Sequence, residues 1–159
     1  MNIQNIIFIL PAYIANAMPV FIGGEIPLDK LLKIKLFGNN KTLLGLLSAF
    51  SSGVISAYIL SFYSPYNFYL SFTIGLISTI GAIFGDLFGS VIKRKLGKKE
   101  GTEFWLDNIL FIFFAMLFVN FYYNTFEPDL FLLILLITFF IHKYANVIAH
   151  KIGLKKVPW

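Results

Sequence analysis

The sequence contains no cysteine and little charge: 13 basic and eight acidic residues among 159, or 13% of the chain, against 58% hydrophobic. The first absence removes a disulfide framework, a thiolate nucleophile and any cysteine-based zinc site. The second says more. A soluble domain averages about 25% charged residues, so this chain has roughly half the charge needed to wet a globular surface. It is therefore expected to be an integral membrane protein. Spanning helices need about 20 apolar residues each, and about five of them would leave roughly 60 residues outside the bilayer. That excludes a separate soluble domain, a propeller, a barrel of long strands and a nucleotide-binding Rossmann unit. The net charge of +5 does not point to nucleic acid in so apolar a chain; it is informative through where the charges sit.

The uncharged stretches define the spans. No charged side chain precedes Glu25, so a first span is expected at about 3–22, interrupted by Pro11, Asn16 and Pro19. Broken spanning helices line cavities or pack against neighbours that take up the freed carbonyls. Ala15-Asn16-Ala17 has the look of a signal-peptidase site, but no Lys or Arg precedes it and residues 18–24 run straight on, so a retained span is expected. Thr42 to Gly85 holds no Asp, Glu, Lys, Arg or His. As helix it would measure on the order of 66 Å, twice the hydrocarbon thickness, so it must turn back once. Ser64-Pro65-Tyr66-Asn67 is the turn-forming cluster near its middle, which gives spans at about 43–63 and 68–92. A fourth is expected at about 105–123, ended by Asn124 and Glu127-Pro128-Asp129, and a fifth at about 130–149. The result is one all-α transmembrane domain over 1–159.

The cations orient it. Lys30, Lys33, Lys35 and Lys41 fall between spans 1 and 2; Lys93, Arg94, Lys95, Lys98 and Lys99 between spans 3 and 4; Lys143, Lys151, Lys155 and Lys156 at the end of span 5 and beyond. These are all 13, and alternate crossings put them on one face. The positive-inside rule then places the N-terminus outside, the C-terminus and two basic loops in the cytoplasm. Aromatics at the opposite ends, among them Phe62, Tyr63, Tyr66, Phe121 and Tyr122, suit an interfacial belt.

Few polar residues fall inside the spans, and each needs a reason. Asp86 lies in an apolar, small-residue run, where a carboxylate costs a few kcal/mol without a cation, a metal or water. Ser90 and Lys93 share its helical face to within about 40°. An Asp86–Lys93 ion pair would be a purely structural answer. Gly81, Gly85 and Gly89 form a GxxxGxxxG stripe suited to close helix packing. Asp107, one turn into span 4, lies at the same membrane face as Asp86. Two carboxylates opposed by five cations suit a Mg²⁺-polyphosphate site, oxygen ligands holding the metal and Lys and Arg neutralising phosphate; alternatively Asp107 is a charge favoured at a helix N-terminus. In Phe37-Gly38-Asn39-Asn40-Lys41-Thr42 a Gly/Asn turn leads into a helix start able to offer N–H groups to an anion. It is no Walker A loop, since Lys41 follows Asn40. His142, Asn146 and His150 share a face of span 5, with the histidines about 12 Å apart, too far for one metal and better read as a polar stripe facing the bundle.

In order along the chain, Pro-Ala-Tyr-Ile-Ala-Asn-Ala-Met-Pro-Val at 11–20, Gly-Gly-Glu-Ile-Pro-Leu-Asp at 23–29, Lys41-Thr42 with Gly45, Gly-Asp-Leu-Phe-Gly-Ser at 85–90 followed by Lys93-Arg94, Asp107, and His142 with Asn146 leading to Gly-Leu-Lys-Lys-Val-Pro-Trp at 153–159 resemble the archaeal CDP-archaeol synthases, relatives of the CDP-diacylglycerol synthases. The resemblance implies transfer of CMP from CTP to 2,3-bis-O-geranylgeranylglycerol 1-phosphate with release of pyrophosphate. It implies Mg²⁺ on Asp86 and Asp107, and phosphate contacts from Lys93, Arg94 and Lys41. Ser90 and Thr42 would donate or ligate beside them, and Asn16 and Asn146 would shape the pocket. Two positions depart from the family: Leu110 and Asn39 stand where acidic residues are usual, so Glu100 or Glu103 would have to fold back to complete a second metal site. A transporter using Asp86 as an ion site is the alternative of another class, but such folds usually repeat a half and no segment here echoes another. A CDP-alcohol phosphotransferase needs Asp-x-x-x-Asp, which the aspartates at 29, 86, 107 and 129 cannot supply.

Overall fold

The computed structural model describes residues 3–99, 102–155 and 157–158. Among these residues six α-helices follow one another: α1 (Leu10–Phe21), the short α2 (Leu28–Leu32), α3 (Leu43–Ser61), α4 (Phe68–Lys95), α5 (Leu110–Tyr123) and α6 (Pro128–Lys151). Among the described residues there is no strand, only an isolated antiparallel bridge between Pro27 and Thr42. The chain is thus an all-α integral membrane protein. By length and composition α3, α4 and α6 are able to cross a bilayer, while α1 and α5 are shorter apolar helices.

Where the helices fall short of the expected spans, proline and a long-range hydrogen bond are responsible. Ile3–Ile9 is a 3₁₀ segment that passes into α1 at Pro11, a residue with no N–H to give and a fixed φ suited to a helix start. In the fourth span, Trp105–Asn108 is likewise 3₁₀, and Ile109 (φ −128°) breaks it from α5. Asn108 is buried and its backbone carbonyl meets His142 Nδ1 at 3.3 Å, so that carbonyl is turned out of the helical ladder. Elsewhere α3, α4 and α6 begin and end near the ends of the apolar runs. The 64–67 turn is present, and the Asn67 side chain caps α4 by accepting from the Tyr69 amide at 2.8 Å.

Helix α4 is the central element, packed on α1, α3 and α5. It makes its contacts through small residues, as expected where lipid leaves no hydrophobic drive between helices and close backbone approach supplies the attraction. The GxxxGxxxG stripe faces α5: a Cβ on Gly81 would lie 2.7 Å from Ala115 Cα, and one on Gly85 2.9 Å from Phe111 Cα. On α3 the inward row Ser48, Ser52, Ser56 satisfies its hydroxyls on carbonyls three residues back, so these three polar atoms in the core are not left bare. The largest buried side chains, Phe111, Ile112, Met116, Ile9 and Phe126, fill the space between α5, α1 and the entry to α6. Helix α6 buries one stripe at four-residue spacing (Leu130, Ile134, Thr138, Asn146). It exposes Leu132, Leu136, Phe140, Ile141, Tyr144 and Ile148, a face suited to lipid.

Candidate functional site

The start of α3, the basic ends of α4 and α6 and the loops beside them meet at one end of the bundle. The connection from α1 to α3 is a folded unit. Asp29 sits in its short helix and its carboxylate accepts the amides of Phe37 and Gly38 at 2.9 Å each. Gly38, with φ 86°, turns the chain back, and the Leu28 amide bonds the Lys41 carbonyl at 2.7 Å. Thr42 then caps α3, its Oγ1 accepting the Gly45 amide at 3.1 Å. Desolvation alone would raise the pKa of Asp29. The amides of Phe37, Gly38 and Leu36 and the charge of Arg94 together outweigh it and hold the carboxyl below its ordinary value. The turn expected to offer backbone N–H groups to an anion therefore has two of them, Phe37 and Gly38, committed to Asp29. Its function is to deliver Lys41 and Thr42 to the bundle.

Lys41 Nζ donates to both carboxylate oxygens of Asp86, at 2.5 and 2.6 Å. Lys93 Nζ donates to Asp107 Oδ2 at 2.6 Å. In place of the Asp86–Lys93 pair, the purely structural alternative, there are two crossed pairs. One ties the 33–42 loop to α4 and the other ties α4 to the segment before α5. The carboxylates stay about two-fifths exposed, so neither is sealed off. Gly89 lies between them, and a Cβ there would meet Asp107 Oδ1 at 3.4 Å. Ser90 lies beside Asp86, but its hydroxyl donates to the Asp86 backbone carbonyl at 3.2 Å, not to the carboxylate. Arg94 reaches the other way: Nη1 donates to the Lys98 carbonyl at 2.8 Å, and its charge acts on Asp29.

A cavity of about 250 Å³ opens beside the first pair, close to the lower end of ligand-pocket sizes, about 300 Å³. Asn39, Asn40, Lys41, Thr42 and Asp86 form its polar part; Ala15, Pro19, Leu46, Ala49, Ala82 and Ile83 form its apolar wall. Pro19 also cannot donate to the Ala15 carbonyl one turn back. Asn16 lines the same cavity and stands 3.3 Å from His142 Nε2 through its Nδ2. A carbonyl only accepts, so the Asn108 contact places the proton on His142 Nδ1, and Nε2 accepts from Asn16. Of the residues expected from sequence, Asn16, Lys41, Thr42 and Asp86 line the cavity. Ser90 and Lys93 lie further along α4 and Asp107 meets Lys93 from the segment before α5, outside the cavity lining, while Arg94 belongs to the loop side. Asn146 is buried on α6 and accepts from Lys155 Nζ at 2.8 Å. His150 is exposed and faces the Lys155 carbonyl, so the polar stripe of α6 turns inward at His142 and Asn146 and outward at His150.

Leu110, at a position where acid was expected, places Cδ1 3.1 Å from the Cβ position of Gly89. Glu103 is exposed; Glu100 lies outside the described residues. Among the described residues no three of His, Cys, Asp and Glu cluster to hold a metal. Sequence reasoning passed over two residues here: Asp29, whose only signal was its place in the 23–29 run, and Lys155, which was one cation among several in a basic tail.

The family described as CarS-like, CDP-archaeol synthase, matches residues 1–159. The CDP-archaeol synthase of Methanococcus aeolicus is 38% identical over 99% of this chain and 96% of its own length. That of Methanococcus vannielii is 40% identical over 96% and 93%. A solved structure of an intramembrane enzyme for archaeal membrane lipids biosynthesis superposes with a TM-score of 0.80 at 31% identity, covering 89% of this chain and 92% of the other. The chain belongs to the CDP-archaeol synthase family.

Proposed function

We propose that the chain transfers CMP from CTP to 2,3-bis-O-geranylgeranylglycerol 1-phosphate, giving unsaturated CDP-archaeol and pyrophosphate, at a site facing the cytoplasm. The observation that carries this reading is the pair of crossed Lys–Asp bridges standing beside a cavity that is apolar on one wall and polar on the other. Such a site suits a substrate with one charged end and one greasy end. The reaction forms a bond between a lipid-phosphate oxygen and the α-phosphorus of CTP and breaks the bond from that phosphorus to the β-phosphate. The attacking phosphate is already ionised near neutral pH, so no general base is needed. The barrier is repulsion between anions, lowered by positioned cations and by alignment.

The residues divide the work accordingly. Asp86 and Asp107 would hold Mg²⁺, which when bound neutralises charge on the phosphates. Lys41 and Lys93 rest on those carboxylates and turn to phosphate oxygens when a nucleotide enters, so each ammonium always has an anionic partner. Thr42, whose Oγ1 already accepts from Gly45, still has a hydroxyl proton to donate. Asn16, fixed by His142, sets the shape of the pocket, and Asn146 holds Lys155. Arg94 acts on the loop through Asp29 and would have to turn from the Lys98 carbonyl to contact phosphate at the rim. The location of all 13 basic residues at alternate ends of five spans supports a cytoplasmic site. The test is incubation of the purified protein in micelles with CTP, Mg²⁺ and the geranylgeranyl-ether phosphate. Pyrophosphate release dependent on both substrates is expected, and none above background would end the transferase reading.

A further inference from the structure

Lys155 belongs to the tail, yet it comes back to the site. After α6 the chain reverses at Gly153, whose φ of +81° suits the left-handed turn of a helix C-terminus. The amides of Leu154 and Lys155 both bond the Ala149 carbonyl, at 2.9 and 3.2 Å. The Lys155 carbonyl meets His150 Nδ1 at 3.0 Å. This double fastening aims the side chain along α6 toward the bundle, where Nζ donates to the buried Asn146 at 2.8 Å. There it stands within electrostatic reach of all four members of the crossed pairs: Lys41, Asp86, Lys93 and Asp107.

We propose that Lys155 is a phosphate-binding residue of this site, carried to it by the C-terminal tail. The inference rests on the transferase reading above and extends it to a residue outside the two loops. Its support is placement: among the described residues a third ammonium group, that of Lys155, is held at Asn146 where the charges of Lys41, Lys93, Asp86 and Asp107 all act on it. Burial, and then the neighbouring charge of Lys41, hold the Lys155 amine below its ordinary pKa, with Asp107 and Asp86 pulling the other way. A lysine whose task was only to pin the tail would gain by pointing to water. One placed among cations gains when a polyanion arrives, because every like-charge contact then turns favourable.

Lys155→Gln removes the charge but keeps a donor for Asn146, and Lys155→Arg keeps the charge. Binding of CTP with Mg²⁺ by calorimetry in micelles, and KM for each substrate, separate the two sources of phosphate. Contact with the nucleotide weakens CTP binding in the Gln variant about ten- to a hundredfold with KM for the lipid unchanged; contact with the lipid phosphate gives the reverse. The Arg variant recovers most of the loss in either case. A Gln variant within twofold of wild type for both substrates, or an Arg variant as impaired as Gln, overturns the proposal and leaves the transferase reading intact. Wild-type protein that binds CTP in a Lys155-dependent way yet releases no pyrophosphate does the opposite. Wild-type protein that binds neither substrate overturns both.

Discussion

An alanine at Gly85 would carry its methyl carbon onto the Leu110 carbonyl oxygen, 2.8 Å from the carbonyl carbon and 2.9 Å from Phe111 Cα. All three atoms are backbone at the start of α5, so no side chain can rotate aside and the helices must part. Ordinary contact begins at 3.4 Å, which requires an opening of about 1 Å, the kind of overpacking that costs about 1–3 kcal/mol. At this chain length each kcal/mol lowers the thermal midpoint by about 2–4 °C. The positional effect is larger. Asp107 stands three residues before Leu110, and Lys93 two turns beyond Gly85, so the same opening stretches their 2.6 Å bridge past hydrogen-bonding range. A displacement of about 1 Å at a reacting centre costs on the order of a hundredfold in rate. Gly89→Ala is the matched control, one turn further along the same face. Its methyl would meet the end of the flexible Leu110 side chain at 3.1 Å and Asp107 Oδ1 at 3.4 Å, so Leu110 can yield. Pyrophosphate release and thermal midpoint in micelles should both fall in Gly85→Ala and stay within about threefold and 2 °C of wild type in Gly89→Ala. Equal behaviour of the two variants would refute the reasoning from backbone contact.

Asp86→Asn should lower turnover at least about a hundredfold while the protein keeps its helical circular dichroism and elutes from micelles as wild type does; wild-type rates in that variant would make Asp86 structural. Asp29 gives a pH signature whose sign follows from its lowered pKa. Its stabilising effect is present above the unfolded-state value and is lost as pH falls through the lower folded-state value. The thermal-midpoint advantage of wild type over Asp29→Asn should therefore hold from pH 7 to about 5 and shrink only below about 4; an advantage that persists unchanged to pH 2.5 would contradict the loop-anchoring role. The cysteine-free chain makes topology directly testable. A cysteine at Asn67 should react with an impermeant thiol reagent added to intact cells and one at Lys98 only after permeabilisation, with the reversed pattern excluding a cytoplasmic site.

The legible parts of this molecule are those decided locally. Scarcity of charge exposed the apolar runs, and the 64–67 cluster was the one place where the long uncharged stretch could turn; both stand in the structure. The glycine stripe announced close packing because a missing Cβ has few other uses in a spanning helix. What could not be read depended on partners far away in the sequence. Helical geometry brings Lys93 to the face of Asp86, but Lys41, 45 residues earlier, arrives through a loop whose fold depends on Asp29 gripping Phe37 and Gly38. The break at Ile109 depends on a carbonyl turned toward His142, 34 residues on. Lys155 looked like one more solvated cation until the reversal at Gly153 aimed it inward.

The crossing of the two pairs bears on function more than their existence does. Had Asp86 paired with Lys93, both partners would lie on α4, and the site would be preassembled on one rigid rod, indifferent to the loop. As built, Lys41 comes from the α1–α3 connection and Asp107 from the segment leading into α5, with α4 holding one member of each pair. A polyanion that draws Lys41 and Lys93 from their carboxylates therefore loosens two inter-element ties at once and replaces them with ties through itself. Binding energy from the phosphates is then available to set the spacing of three chain segments around the reacting atoms, as positioning catalysis requires. Exchanging the partners by the double swap Lys41→Asp with Asp86→Lys would keep the tie and the net charge. It would put the carboxylate on the loop and the ammonium on α4, away from Asp107. A folded but inactive swap is expected, assayed by thermal midpoint together with pyrophosphate release, and an active one would show that the pair serves only to fasten the loop.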